Sequence, residues 1–458
     1  MNYHQLLKQN KNIRYLWTGQ VISEIGDWLN NIAVLAMAIS FAGAGREGLA
    51  LAVYALARHV PLFVFGPIAG VIADRFDRRR LMIAADLTRA AFALCFLFAN
   101  AWNSLTMIYI VGAFIFCASS FFNAAKRAAI PNLTQNTDEL VTANSLTAST
   151  TAATIAVGSA LGGIAATFLG RDFVFILNTA TFLLSAELIR RVVYKKSQAP
   201  SLKSQVSSLK SQVPNPSIPQ SPISQSLNPS IPQSLNPKSL FGILSRVFTE
   251  FREGLSYVKN INLLFAVFIV AAGWGLGNGA ARATYSLFGS RLGTETMKGF
   301  VDKPSEFGIS VLFVAMGLGG VLGAPLARRV SSSVNQEILG RRMGRSIFFD
   351  GCGLAVFSFI PSLWVAAFVL ILREVNFLIW WTAQQTLIMS RTDDKLAGRV
   401  FASYETLTTL TMVGSMLLCG AAADKYGIEP VALCGGIIIA LSGLTWFLLR
   451  RGKTSYRT

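Results

Sequence analysis

Two carboxylates stand where carboxylates are costly. Glu24 and Asp27 fall inside an apolar run that begins near residue 15, and with Gln20 and Asn31 they are spaced four, three and four residues apart. That spacing puts all four side chains on one face of a helix. A charge at the centre of a bilayer costs about 2.5–3.5 kcal/mol. A stripe carrying two of them must therefore face protein or a water-filled cavity. Burial disfavours the charged form of a carboxylate, which lets such a group take up and release a proton. Two more apolar runs carry polar faces: Asn278, Arg282 and Ser286 on one, and Arg373, Asn376, Trp380 and Gln384 on the other, with Glu374 and Trp381 beside them. Glu24, Asp27, Asn31, Arg282, Arg373 and Glu374 are thus expected to line a cavity, with Asp27 the first choice for proton coupling. The bland alternative is a set of structural ion pairs, Asp27 with Arg282 or Arg373 with Glu374. Asp86, Arg89, Asp350 and Glu405 fall near the ends of apolar runs and read as ion pairs at the membrane interface. Trp28, Trp274, Trp380 and Trp381 would suit a flat, greasy substrate, although aromatic residues also anchor and pack helices.

The elements that must hold these residues are membrane helices. Of 458 residues, 52% are apolar and only 14% charged, against about 25% charged in an ordinary soluble domain. At roughly 20 residues per span plus short loops, the length accommodates about twelve spans, the fourth read at 104–124 and the ninth at 346–360. The N-terminus, MNYHQLLKQNKNIR, is polar and lacks the apolar core and small-residue cleavage site of a signal peptide, so the first span is expected to stay in the membrane as its own anchor. The five cysteines lie in apolar runs without metal-ligand spacing, so neither a metal nor a cofactor is expected. No Walker GxxxxGK[ST], HExxH or GxSxG pattern occurs, which argues against an enzyme.

The net charge of +18 is a topology signal and not a nucleic-acid footprint. Taking loops alternately, only Arg46, Arg171, Arg291, Lys298, Lys303 and Lys425 fall on the side away from the termini. The positive-inside rule then places both termini in the cytoplasm of a multi-pass plasma (inner) membrane protein, which needs an even number of spans. Residues 196–240 repeat SLKSQV and PSIPQS and are rich in Ser, Pro, Gln and Asn. Such a composition reads as a disordered cytoplasmic linker. It separates 1–195 from 241–458. The two halves echo one another: Asp138-Glu139-Leu140 and Val157-Gly158-Ser159 against Asp394-Lys395-Leu396 and Val413-Gly414-Ser415, and Arg78 and Asp86 against Arg342 and Asp350. The expected fold class is an all-α membrane protein of two pseudo-symmetric six-helix bundles, a layout that suits a central cavity and alternating access.

The most specific local signal is GVIADRFDRRR, which starts at Gly70 in a short loop between two apolar runs. A positive-inside loop accounts for its arginines but not for Asp74 or the glycines. This stretch resembles the signature loop of the major facilitator superfamily. RYLWTGQVISEIGDWLNNIAVL from Arg14, FFNAAKRAAIPNL from Phe121 and LAGRVFASYETL from Leu396 look like the branch that holds macrolide-efflux and enterobactin-exporter proteins. The resemblance implies a charge latch that favours the outward-facing state, formed here by Gly70, Asp74, Arg75, Arg78 and Arg79 with neighbouring helices. The second-half counterpart has Ala327 in place of the acid, so one latch is expected. GSALGG from Gly158 departs from the GPxxGG pattern frequent in drug–proton antiporters, and the fourth span lacks the arginine that many of them carry.

The expected function is secondary active transport by alternating access. The resemblance implies efflux of amphipathic small organic molecules (drugs, macrolides or siderophores) in exchange for protons. The alternatives are a carrier of the same fold for a nutrient or lipid and, further off, a membrane receptor or enzyme. The expected partners are a small-molecule substrate, protons as coupling ion and the lipid bilayer, with no nucleic acid, and the chain is expected to work as a monomer.

Overall fold

The computed structural model describes residues 2–193, 240–331, 336–392 and 394–451. Nearly all of the expected linker lies outside the described residues. A short helix α1 (Tyr3–Gln9) precedes six long ones: α2 (Lys11–Ala42), α3 (Glu47–Arg75), α4 (Arg78–Ala101), α5 (Leu105–Leu133), α6 (Thr137–Ile164) and α7 (Arg171–Arg190). After the undescribed segment come α8 (Leu240–Lys259) and a second set of six: α9 (Asn262–Met297), α10 (Pro304–Ser331), α11 (Gln336–Phe357), α12 (Leu363–Met389), α13 (Asp394–Tyr426) and α14 (Ile428–Arg451).

Local signals set the boundaries. Asn10, Asp77 and Asn136 cap α2, α4 and α6, their side chains accepting from the backbone N–H groups of Ile13, Arg80 and Glu139 at 3.0, 2.8 and 2.8 Å. Gly170 and Gly427 (both φ +91°) turn the chain after α6 and α13, a conformation that a side chain would strain. A π-helical turn, Ala165–Leu169, extends α6 to the first of them.

Eleven of the described helices are long and apolar enough to span a bilayer. The ninth of the twelve expected spans, α11, is less apolar because it carries Arg341, Arg342, Arg345 and Asp350. It nevertheless packs fully between α12 and α14. The two halves repeat one neighbour pattern. In the first, α2 packs on α6 and α7, α4 on α5 and α7, and α3 on α5; in the second, α9 packs on α13 and α14, α11 on α12 and α14, and α10 on α12. The halves meet where α6 crosses α10 and α3 crosses α13. Phe98, Leu161, Ile176, Leu322, Phe368 and Leu418 are among the large apolar side chains left exposed, as expected where lipid is the solvent.

Three elements differ from the sequence expectation. α11 begins at Gln336, ten residues before the expected start of the ninth span, because Arg341, Arg342 and Arg345 lower the hydropathy of its first turns without stopping the helix. α5 runs to Leu133, about two turns past the expected end at residue 124, and carries Lys126 and Arg127 with it. The span α9 is preceded by α8, which lies along α13: Ser403 Oγ donates to the Phe251 carbonyl at 3.1 Å, and Arg399 pairs with Glu253 at 2.9 Å.

Candidate substrate cavity and its charged walls

The polar face of α2 meets partners on four helices. Glu24 is held from three sides: by Gln20 Nε2 at 2.8 Å, Thr154 Oγ1 at 3.1 Å and Lys126 Nζ at 3.5 Å. Asp27 has one partner among the described residues, Arg89 Nη1 at 3.5 Å. Arg89 hydrogen-bonds more closely to Asp86 on its own helix, and Asp86 also accepts from Ser185 Oγ at 2.8 Å. The Arg89 guanidinium lies over the Phe122 and Phe182 rings at 4.3 and 4.5 Å. Such ring faces stabilise a desolvated cation. Asp86 and Arg89 are 0% and 2% exposed. They are core residues, contrary to the interface reading, because α2, α5 and α7 close over them.

A cavity of about 430 Å³ opens against this face. It reaches from Asn31 and Tyr54 at mid-span to Ile130 and Asn144 near the terminus-bearing ends of α5 and α6, and Glu24, Asp27, Trp28 and Arg127 line it. A smaller cavity of about 100 Å³ lies where the halves meet and shares Trp28, Asn31, Tyr54 and Arg58 with the first. Arg58 Nη1 donates to Asn31 Oδ1 at 2.9 Å, and its guanidinium lies over Trp28 and Phe116 at 5.3 and 4.9 Å. Arg282 enters the small cavity from α9. The expected pair of Asp27 with Arg282 is not made; Arg89 takes that place from within the same half.

The second half is arranged differently. Arg373 pairs with Asp350 at 2.9 Å and not with its neighbour Glu374, because adjacent residues on a helix point apart. Trp274 Nε1 donates to the same Asp350 carboxylate at 3.3 Å. Trp274 and Trp380 meet edge to face at 4.8 Å, Phe377 stacks on Trp274 at 5.6 Å, and Trp381 and Tyr404 extend the cluster. Trp380 is fully buried and Trp274 nearly so. Of the four tryptophans expected at the substrate cavity, only Trp28 lines either cavity; Trp274 and Trp380 are packing. Neither Arg373 nor Glu374 lines them. Glu374 is half-buried on the α12 face against Gly319 of α10.

The two ends of the molecule are unlike. At the end away from the termini, Arg171 on α7 donates twice to Glu306 on α10, at 3.0 and 2.7 Å. The Asp424 carboxylate of α13 accepts from the Gly48 and Leu49 N–H groups at 2.7 and 2.8 Å, so it caps the first turn of α3. Backbones touch there: a Cβ added to Gly48 would stand 2.3 Å from the Gly420 carbonyl oxygen. Ser310 Oγ donates to the Ser159 carbonyl at 2.7 Å and would sit 2.0 Å from a Cβ at Gly163. At the terminus-bearing end, Asp74 is exposed, and no ion pair holds it among the described residues. Open space surrounds Gly66, Gly70 and Gly398. Asp74 and Arg78 do not form the helical pair suggested by their spacing, since α3 ends at Arg75 and Asp77 starts α4. Arg75 is exposed, and Arg79 Nη1 donates to the Val192 carbonyl at 3.2 Å. The halves are thus joined at the far end, whereas Asp74 makes no such contact at the other among the described residues.

The sequence pattern of the Major Facilitator Superfamily matches residues 16–415. The chain belongs to that superfamily. It is accordingly a multi-pass membrane transporter, and the superfamily's members are not enzymes. A putative bacilysin exporter of Bacillus subtilis is 24% identical over 98% of this chain and 99% of its own length. The uncharacterized MFS-type transporter YfiS of the same organism is 25% identical over 99% and 96%. Macrolide efflux protein A of Streptococcus pyogenes is 42% identical, over 17% of this chain and 18% of that protein. Among solved superfamily folds, a mutant form of the nucleoside transporter NupG superposes with a TM-score of 0.65 at 12% identity, covering 97% of this chain and 99% of that one. A bacterial homologue of the iron transporter ferroportin, in an inward-facing state, also gives 0.65 at 14% identity, covering 95% and 98%.

Three charged residues of this superfamily member escape a reading of the cavity from sequence. Lys126 falls past the expected end of its span, although nothing in NAAKRAA stops a helix. Arg89 reads as an interface residue, although Asp86 and Arg89 at i, i+3 already point one way along a helix. Arg58 carries no signal beyond being a charge inside an apolar run, which by itself marks a functional position.

Proposed function

We propose that this transporter exports small amphipathic organic molecules in exchange for protons, by alternating access, with Asp27 as the proton-carrying carboxylate. The observation that carries the reading is the contrast between the two acids on α2. Both line the cavity, but Glu24 is held by three partners, whereas Asp27 accepts no hydrogen bond among the described residues and shares its one cation with Asp86. A carboxylate whose countercharge is committed elsewhere gives up little when it takes a proton. The efflux-type names of the relatives support the direction of transport. The halves 1–195 and 241–458 act as the moving bodies in this reading, with both termini in the cytoplasm. The far end is sealed in this reading and faces outward, and the Asp74 latch, with Gly70, Arg75, Arg78 and Arg79, engages in the opposite state.

Growth of an efflux-deficient host expressing the chain, across a panel of antibiotics, dyes and siderophores, identifies a transported compound. In sealed proteoliposomes Asp27→Asn then abolishes accumulation driven by a pH gradient but leaves substrate exchange, while Glu24→Gln has the milder effect on coupling. Full gradient-driven transport by Asp27→Asn removes Asp27 from the coupling role.

A further inference from the structure

Two arginines in the membrane-spanning region have no carboxylate within ion-pair distance among the described residues, although Glu374 acts on Arg282 and Asp27 on Arg58 from further off, and both arginines reach the junction of the halves. Arg58 on α3 and Arg282 on α9 line the same small cavity, and no acidic residue lines it. Arg58 is satisfied by neutral groups only: the Asn31 amide oxygen and the faces of Trp28 and Phe116. Arg282 is exposed on an otherwise buried stretch of α9, between Ala281 at 0% and Ala283 at 1%, and makes neither a hydrogen bond nor an ion pair among the described residues. Four other arginines in or beside the spans are paired: Arg89 with Asp86 and Asp27, Arg373 with Asp350, Arg171 with Glu306 and Arg291 with Glu429. Asp27 faces Arg58 in the larger cavity but lies beyond ion-pair distance.

A guanidinium without a countercharge inside a membrane protein is costly, and an anion bound between two that converge from the two halves offsets that cost. We infer that the transported molecule carries a carboxylate, or an oxyanion of similar size, which binds between Arg58 and Arg282. This rests on the transport reading above and names the substrate class for the same cavity. A planar guanidinium matches a carboxylate through two parallel hydrogen bonds. The small cavity has room for that head alone. The larger one, which shares Trp28, Asn31 and Tyr54 with it, takes a body of ordinary small-ligand size against its aromatic walls. Because one arginine belongs to each half, an anion bound to both joins the two bodies. Substrate binding would then favour the state in which the two guanidinium groups are closest.

The test uses purified full-length protein in nanodiscs with matched pairs of aromatic acids and their amides: benzoate and benzamide, 2-naphthoate and 2-naphthamide, indole-3-acetate and indole-3-acetamide. Binding is read by tryptophan fluorescence and by thermal shift. At least one acid is expected to bind about tenfold more tightly than its amide, a difference of about 1.4 kcal/mol. Arg282→Gln and Arg58→Gln should each bring acid and amide to the same affinity. Arg282→Lys should keep part of the preference and serves if a neutral variant does not fold. If no acid outperforms its amide in the native chain, the inference fails. It fails equally if Arg282→Gln keeps the preference while losing gradient-driven accumulation, which would make Arg282 a switching partner of Glu374. Binding here needs no gradient, so an anion preference with no efflux of any compound overturns the export reading and leaves this one standing.

Discussion

The seal at the far end can be weakened by one atom change. Glu306 is 3% exposed, and both Arg171 donors converge on its Oε1, while Arg171 Nη1 is held by Ser40 Oγ at 3.0 Å. In Glu306→Gln the acceptor oxygen survives but the charge does not. The bonds stay charge-assisted from the Arg171 side, so what is lost is the attraction between the charges, about 0–1 kcal/mol for an exposed ion pair and about 3–5 kcal/mol for a buried one, and this partly buried pair falls between them. The loss is therefore about 1–2 kcal/mol, felt only in the state where α7 meets α10. A difference of that size moves a two-state equilibrium by a factor of about 5–30. Spin labels replacing Trp102 and Phe300, exposed residues in far-end turns of opposite halves, report the separation of the halves there by pulsed dipolar spectroscopy in nanodiscs. Glu306→Gln should enlarge the long-distance population, and Arg171→Gln added to it should do little more, because the two residues act as one unit. An unchanged distance distribution in Glu306→Gln would refute a sealing role for this pair.

The latch reading makes a prediction of opposite sign. Asp74→Asn leaves the present state untouched, since no ion pair among the described residues holds Asp74 in it, and destabilises the other by about 1–3 kcal/mol; the same labels should report a larger short-distance population, and turnover should fall more than substrate affinity. Normal turnover with unmoved distances would leave Asp74 an ordinary loop residue. Trp380→Ala empties a fully buried site ringed by Trp274, Phe377 and Trp381 and should cost about 3–5 kcal/mol, seen as a lower midpoint in thermal unfolding of the detergent-solubilised protein, with Trp380→Phe much nearer the native value. A stable Trp380→Ala protein that has lost transport would return Trp380 to the substrate path.

How far the sequence carries the reading follows from what each residue's environment depends on. The face of Gln20, Glu24, Asp27 and Asn31 is legible because helical period alone aligns those side chains, and all four lie on one unbroken helix. The duplicated halves are legible because apolar runs and echoed short motifs are local. Partners are not. Asp27 finds Arg89 and Glu24 finds Lys126 across gaps of many residues, and no spacing rule predicts which of several cations a folded bundle brings near. The extra turns of α5 are hidden for a different reason: hydropathy falls at Lys126 and Arg127 although the helix does not stop there. Hydropathy reports solvent, and a polar cavity inside the membrane reads like the water outside it. The same ambiguity misplaces Trp274 and Trp380, whose size suits a binding wall and a packed core equally well.

The close approach of Gly48 and Gly420 bears on the energy economy of the cell that carries this protein. A gate of bulky side chains can be trimmed or enlarged by degrees, since rotamers give way. Here a Cβ on either glycine would meet the other's backbone oxygen at 2.3 or 2.4 Å, so even the smallest side chain forces the helices apart. A carrier with a far end that fails to close while the near end is open becomes a conduit for protons, and its harm scales with the number of copies in the membrane rather than with any substrate.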